Sequence, residues 1–404
     1  MYARNFLLLL AVSLISTTPA FSDRIYTGHT SLDVVGALDD NPQLSASRSR
    51  ELEGNSVEFV YGLYHSIMMN STSPHSDLRL SYAFGLEKSD TGLRLGATKS
   101  HGLEGSFKAS LSQKLRMEFS ESYVSSSDFG TFNFMRGTTL TPGDALFRYS
   151  TVTLRRNGYF NGVNAGFSYA LNPISSLSWT VSHIVRNYEN SFPENRLSKL
   201  QGLDANLRFN RKINKRTSWS LGYSMYQYWF KNFADSRTLA ADFALFHQIS
   251  PGISVELIAG PSKTSTAGPG TNYVGYNSSV NLAKSIKKDK LTVAFYRRSG
   301  TSMGVGSISD SQGVAFYYSR FLGRKAALEG AASLYDARDR VDNPLKFKGA
   351  FTSVSLNYLL KANWALTWGA SYQQQKGTDI LDLGRTRVFV SLRFLLPEFL
   401  RVAK

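Results

Sequence analysis

The segment Asn363-Trp364-Ala365-Leu366-Thr367-Trp368-Gly369-Ala370-Ser371-Tyr372-Gln373-Gln374-Gln375 alternates between two kinds of side chain. Trp364, Leu366, Trp368, Ala370 and Tyr372 fall on one face; Ala365, Thr367, Gly369, Ser371 and Gln373 fall on the other. A period of two with unlike faces is the signature of a β-strand between two different media. The segment before it repeats the pattern, with Ala350, Thr352, Val354, Leu356 and Tyr358 against Gly349, Phe351, Ser353, Ser355 and Asn357. Similar rows recur in Val163/Ala165/Phe167/Tyr169, Leu203/Ala205/Leu207/Phe209, Trp219/Leu221/Tyr223/Met225, Leu291/Val293/Phe295 and Val388/Val390/Leu392/Phe394.

The second face decides between two all-β architectures. In a soluble sandwich the bulky rows would interdigitate inside. In a transmembrane barrel they face lipid, the small polar rows face water, and aromatics gather where the strands meet the two interfaces. Several rows here end in Tyr or Trp, which favours the barrel. Short breaks near 173, 214, 250, 287, 323 and 361 are each flanked by two strands. A β-propeller repeat is about as long but needs four strands, so an up-and-down meander is the simpler reading.

The spacing predicts strands at 30–38, 56–66, 78–87, 105–112, 115–124, 159–170, 177–188, 200–210, 217–230, 238–247, 253–261, 272–283, 291–299, 311–319, 326–336, 348–359, 363–375 and 385–394. The expected fold is therefore an antiparallel all-β barrel of about eighteen strands, or twenty if Gly92–Lys99 and Ala145–Arg155 are also strands. The connection 125–158 is the one loop too large to be a simple cap; with Gly130, Gly137, Pro142 and Gly143 it reads as irregular structure, either exposed or folded into the pore.

Composition agrees. The 404 residues are 42% hydrophobic and lack cysteine, which removes disulfide and thiol chemistry. Beyond the N-terminus no apolar run approaches the ~18 residues of a spanning helix, and only closed barrels cross lipid otherwise. Residues 1–22 read as a signal peptide, with Arg4, an apolar Phe6 to Ile15 and a small-residue cleavage site at Ala20-Phe21-Ser22. The expected division is thus 1–22 leader, 23–394 barrel and 395–404 a C-terminal periplasmic tail. A Gram-negative outer membrane is the compartment that fits.

The net charge of +16 suggests a basic channel, and strand parity tests the idea. Lumen-side positions carry Arg79, Lys108, Arg116, Arg186, Arg208, Arg298, Arg385, Arg387 and Arg393, but also Asp33, Glu58, Glu87, Glu118, Asp204, Asp242, Glu256 and Glu329. The predicted lumen is nearly neutral, a pattern more often of cross-strand pairing than of selectivity. The excess falls in the short turns: Lys114, Arg211, Lys212, Lys215, Arg216, Lys284, Lys287, Lys288, Lys290, Arg320, Arg324, Lys325 and Lys361, opposed by Asp77 and Asp289. Such a rim would face the periplasm and either attract an anionic polysaccharide or acidic assembly protein, or serve solubility and contact with lipid headgroups.

The histidines His29, His65, His75, His101, His183 and His247 are dispersed, without metal-ligand spacing. GxSxG, P-loop and GxGxxG motifs are absent, so neither an enzyme nor a cofactor is expected. Aromatics interleaved with Arg and Lys follow strand alternation rather than a nucleic-acid platform.

The stretch Ala37-Leu38-Asp39-Asp40-Asn41-Pro42, with hairpins such as Phe167-Ser168-Tyr169-Ala170-Leu171-Asn172-Pro173 before Ser176-Leu177-Ser178-Trp179, resembles outer-membrane β-barrel proteins associated with bacterial exopolysaccharide assembly, including exosortase-linked loci. The resemblance spans almost the whole mature chain and implies a passive conduit or assembly partner for a secreted polysaccharide. It departs from the usual barrel ending, because Leu395 to Lys404 follow Phe394. From the residues alone three functions stay open: polysaccharide export, a porin for small solutes, and a plugged structural or surface-binding barrel.

Overall fold

The computed structural model describes residues 25–40, 57–89, 98–126, 158–188, 200–230, 235–266, 272–301, 308–339, 346–377 and 383–403. They form β1 (Ile25–Asp39), β2 (Glu58–Thr72), β3 (Ser76–Ser89), β4 (Thr98–Ser110), β5 (Leu115–Ser126), β6 (Gly158–Asn172), β7 (Ser175–Tyr188), β8 (Leu200–Lys212) and β9 (Thr217–Phe230). The second half continues with β10 (Ser236–Ser250), β11 (Ile253–Thr266), β12 (Asn272–Ile286), β13 (Asp289–Thr301), β14 (Ile308–Phe321), β15 (Ala326–Asp339), β16 (Lys346–Lys361), β17 (Trp364–Gly377) and β18 (Leu383–Ala403). Each strand pairs antiparallel with the next, and β18 returns to pair with β1. Closure leaves no strand unpaired on either side, so the wall can satisfy most of its backbone donors and acceptors internally, as lipid demands.

Local chemistry fixes the tight turns. Pro251-Gly252 joins β10 to β11 with Gly252 at φ 87°, where proline presets the first turn residue and glycine supplies the left-handed second. Between β8 and β9 the Asn214 side chain accepts from the Arg216 and Thr217 amides at 2.8 and 2.9 Å. These turns lie at the same end as the start of β1 and the finish of β18. In a barrel of this kind that end is periplasmic, and the longer connections are extracellular.

The bulky rows lie outside. Trp179 is 48% exposed, Val388 52% and Leu334 64%, as expected of a lipid-facing surface and not of a dry centre. Aromatic contacts ring the periplasmic end, including Phe167–Trp179 at 5.8 Å, Phe209–Trp219 at 5.6 Å and Trp364–Phe394 at 4.7 Å. Toward the other end Phe59 packs on Tyr61 at 6.4 Å and Tyr123 on Tyr159 at 6.2 Å.

The strands run longer than the sequence pattern marks. β4 begins at Thr98, which brings Glu104 into the wall, and β1 reaches Asp39. Asp77, Arg211, Lys212, Lys284, Lys290 and Arg320 belong to strand ends where turns were expected. β18 passes Phe394 and continues to Ala403, pairing Arg401, Val402 and Ala403 with Thr27, Tyr26 and Ile25 where a tail was expected. Its register shifts opposite Gly28/Thr30; Pro397 lies within the extra residues, consistent with proline's lack of a ladder donor. Residues 1–22, most of 125–158, Ala145–Arg155 and all but the end of Gly92–Lys99 lie outside the described residues.

One joint differs from the rest. β12 pairs with β13 from Ile286↔Asp289 only as far as Ser278↔Arg297. Beyond that, β12 stays with β11 up to Asn272↔Ser265, and β13 stays with β14 up to Thr301↔Ile308. Side chains span the unpaired stretch. The Arg297 guanidinium stacks 4.2 Å from the Tyr276 ring and donates to its hydroxyl at 2.7 Å. Tyr273 donates to Asp310 at 2.7 Å.

Candidate functional site: the lumen and its constriction

Successive strand residues point to opposite faces, so the exposed outer rows identify the inner ones. Asp33, Glu58, Arg79, Glu87, Lys108, Arg116, Glu118, Arg186, Asp204, Arg208, Asp242, Glu256, Arg298, Glu329, Arg385, Arg387 and Arg393 all occupy positions on the inner parity. Asp39 and Glu104 join them on the inside.

Two groups of charges are bound into the wall. Around β1 and β18, Arg385 donates to Asp39 through Nε at 2.9 Å and Nη2 at 2.6 Å, in a pair that is 7% and 0% exposed. Arg393 reaches Asp33 at 2.6 Å. Arg387 lies 3.4 Å from Glu87, which also accepts from the Tyr64 hydroxyl at 2.8 Å. Within the quoted stretch Ala37 to Pro42, Asp40 also belongs to this closure, accepting from the Thr386 amide at 2.7 Å. Across β8, β9 and β10, Arg208 bonds Asp242 at 2.6 Å and Ser220 at 2.9 Å. Glu256 accepts from Asn281 at 3.1 Å.

Near the periplasmic mouth the inner wall is open. Lys108 and Glu118 form a 2.9 Å pair while remaining 60% and 49% exposed, and Arg79 and Arg116 are exposed as well. Toward the extracellular end the inner positions are mostly buried. Val35, Ala37, Val60, Tyr64, Ala83, Val124 and Phe389 form an apolar cluster there, so the inner face is not uniformly small and polar as the sequence suggested. Several inner aromatics lie along the wall over glycines: a Cβ on Gly202, Gly313, Gly349 or Gly369 would collide with the ring of Tyr228, Tyr296, Tyr335 or Phe389. Tyr335 is further tied to the buried Gln375 at 3.0 Å.

One contact bridges inner positions several strands apart. The Arg298 guanidinium, on β13, sits 4.6 Å from the ring of Tyr226, on β9. Four strand spacings separate them around the wall, about 19 Å at the usual interval. Asp204 of β8 also acts on Arg298, and Tyr228 donates to Asp204. Asp204 Oδ1 has no partner among the described residues. The intervening inner positions are small: Thr238, Ala240, Ser262 and Thr264 are buried, and Gly275 follows them on β12. Small side chains leave room for the long ones to meet.

The sequence placed Arg298 and Asp204 inside, but it did not show that they converge. Tyr226, Tyr228, Tyr335 and Phe389 went unremarked, although extending the parity of Trp219, Leu221, Tyr223 and Met225 puts the two β9 tyrosines on the inner face. The basic rim residues Arg211, Lys212, Lys215, Arg216, Lys284, Lys287, Lys288, Lys290, Arg324 and Lys325 gather at the short-turn end. The histidines remain separate: His65 bonds Thr30 at 2.9 Å, His101 bonds Tyr82 at 3.0 Å and His247 bonds Thr217 at 3.0 Å. No group of three or more His, Asp or Glu suited to a metal occurs among the described residues.

The closed wall, its greasy exterior and its aromatic borders decide the setting. The chain is a transmembrane β-barrel of the Gram-negative outer membrane. No family model matches it, and no curated protein does. Solved structures similar in architecture include the outer membrane protein OpdK from Pseudomonas aeruginosa, at 12% identity and a TM-score of 0.46, covering 91% of this chain and 99% of that one. OpdK crystallised with vanillate gives 13% identity and a TM-score of 0.47, covering 91% and 99%. OccAB4 from Acinetobacter baumannii gives 11% and 0.46, covering 94% and 100%. Likeness at this level says nothing of solute or mechanism.

Proposed function

We propose that the barrel is a diffusion channel for small hydrophilic solutes, with its selective point where Arg298 meets Tyr226. The Arg298–Tyr226 contact carries this reading. It sets a guanidinium, a carboxylate and two phenols side by side on the inner wall, where they can exchange hydrogen bonds with a polar solute and replace part of its hydration. The exposed periplasmic half of the inner wall is compatible with free diffusion beyond that point. Export of an exopolysaccharide, the function implied by the resemblance, asks for a route wide enough for a hydrated polymer. The basic rim adds attraction for anionic solutes or an acidic partner at the periplasmic mouth.

The test is single-channel recording in planar bilayers. The native protein should conduct, and Arg298→Ala and Tyr226→Ala should each raise conductance and admit larger neutral sugars in liposome swelling. Conductance that is absent from all three proteins would overturn the proposal in favour of a plugged barrel. Conductance unchanged by either substitution would remove the selective point.

A further inference from the structure

The split between β12 and β13 interrupts a wall that lipid otherwise requires to be continuous. Its ladder ends at Ser278↔Arg297, while the β11–β12 ladder runs on to Asn272↔Ser265 and the β13–β14 ladder to Thr301↔Ile308. The lower end of the split lies well inside the membrane. Ser278 stands six residues from Lys284 of the periplasmic rim, about 20 Å along the strand and roughly 15 Å in height at the tilt of such barrels. The upper end reaches the interface, where the exposed Lys263 is directly opposite Val274. The split therefore occupies the outer-leaflet half of the apolar belt.

Backbone outside a ladder is tolerated at that depth only where it is buried in protein or lines a water-filled cavity. The inner border of the split belongs to the lumen: Gly275, Asn277 and Arg298 take the inner parity there, and Gly275 adds no side chain. The two outer lips differ in chemistry. Pro261, Val274, Tyr276 and Val280 make an exposed, largely apolar lip on one side, and Arg297, Gln312 and Asp310 make a polar one on the other. Side chains bridge the lips. Arg297 stacks on Tyr276, donates to its hydroxyl and lies 3.8 Å from Asp310, to which Tyr273 also donates. Tyr273 is on the inner parity of β12 and Asp310 on the outer parity of β14, so this bond passes through the wall at the split. Turning Arg297 and Tyr273 about their own side-chain torsions opens the split without breaking a ladder hydrogen bond.

We infer that the split is a lateral portal through which single-chain amphiphiles pass between the lumen and the outer leaflet, closed at rest by Arg297–Tyr276 and Tyr273–Asp310. The polar lip and the lumen border receive the head group, and the hydrocarbon chain slides along Val274, Tyr276 and Val280. Two side-chain bridges span the split, which suits one chain and excludes a lipid with several. The portal does not depend on what the lumen conducts from mouth to mouth.

The chain has no native cysteine, so paired thiols report only where they are placed. The experiment holds the full barrel in lipid nanodiscs containing palmitic acid with a diazirine on its chain, and maps the photo-adducts by mass spectrometry. In the native protein, adducts should fall on the outer lips and also on the lumen-parity residues Asn277 and Arg298. Bridging Tyr276→Cys/Arg297→Cys with a short bis-methanethiosulfonate should remove most of the inner adducts and leave the outer ones, and reduction should restore them. The same bridge at Phe316→Cys/Ala332→Cys, directly opposite each other in the β14–β15 ladder, should change neither. Tyr273→Phe, which loses one bond of the closure, should raise inner labelling severalfold. Heat-modifiable gel migration confirms that each variant is folded. Inner adducts absent from the native protein would overturn the inference with no variant needed. So would inner adducts that persist behind the bridge, or that fall equally with the control bridge. Potassium chloride conductance reads the diffusion channel separately: a barrel that fails to conduct refutes that function and leaves the portal to the adducts.

Discussion

The joint between β1 and β18 and the joint between β12 and β13 solve one problem with opposite means. At the first, the ladder follows β1 from Ile25 to Asp39 and is backed by Arg385–Asp39 and Arg393–Asp33 inside the wall. At the second, backbone pairing stops at Ser278↔Arg297 and the remaining height is held by Arg297, Tyr276, Tyr273 and Asp310. The lesson is that a closed wall need not be uniformly zipped. Burial makes ion pairs count heavily at the first joint, whereas rings and a half-buried guanidinium supply a looser clasp at the second.

The largest effect expected from breaking this contrast is at Arg385. Arg385→Ala leaves the Asp39 carboxylate buried without its bidentate partner and should cost about 3 to 5 kcal/mol. The measurement is the urea midpoint of the folded band on unheated gels. Adding Asp39→Leu to Arg385→Leu should recover most of the loss, because a buried pair replaced by apolar groups is close to neutral. If the double variant is as weak as Arg385→Ala, the pair is not the source of the stability.

Arg297→Ala should cost less, about 1 kcal/mol, the worth of a cation over a phenol ring. Its mark should be local: faster amide exchange in the upper parts of β12 and β13, with protection across β1 and β18 unchanged. Uniformly faster exchange around the barrel would show that the two joints are not independent.

The smallest change belongs to the open periplasmic half. Lys108→Ala removes one partner of an exposed pair and should shift stability by no more than about 1 kcal/mol, less at high salt. A loss comparable with that of Arg385→Ala would erase the distinction between wet and dry charges on this wall.

Much of the barrel was legible because lipid enforces strict alternation. Strands such as β16 and β17 could be read from Val354, Leu356, Trp364 and Trp368 alone, and parity then placed every charge on a face. Their ends were less legible. Alternation lapses at Leu395-Leu396-Pro397, so β18 was expected to stop at Phe394, and Val34-Val35-Gly36-Ala37-Leu38 is apolar on both faces, which hid the inner cluster. The Arg298–Tyr226 contact was the least visible of all. Arg298 and Tyr226 are far apart in sequence, and no period within a strand reports which inner residues meet across open space. That depends on the small side chains of Ala240, Ser262 and Gly275 on the strands between.

The Arg385–Asp39 link joins residues 346 positions apart in the chain. Closing so long a loop carries an entropic cost that shorter hairpins avoid. The first and final strands therefore meet most readily once those between them have been laid down, and this guanidinium–carboxylate bond is expected among the last to form. It works as a seal of completion: once made it is dry and doubly bonded.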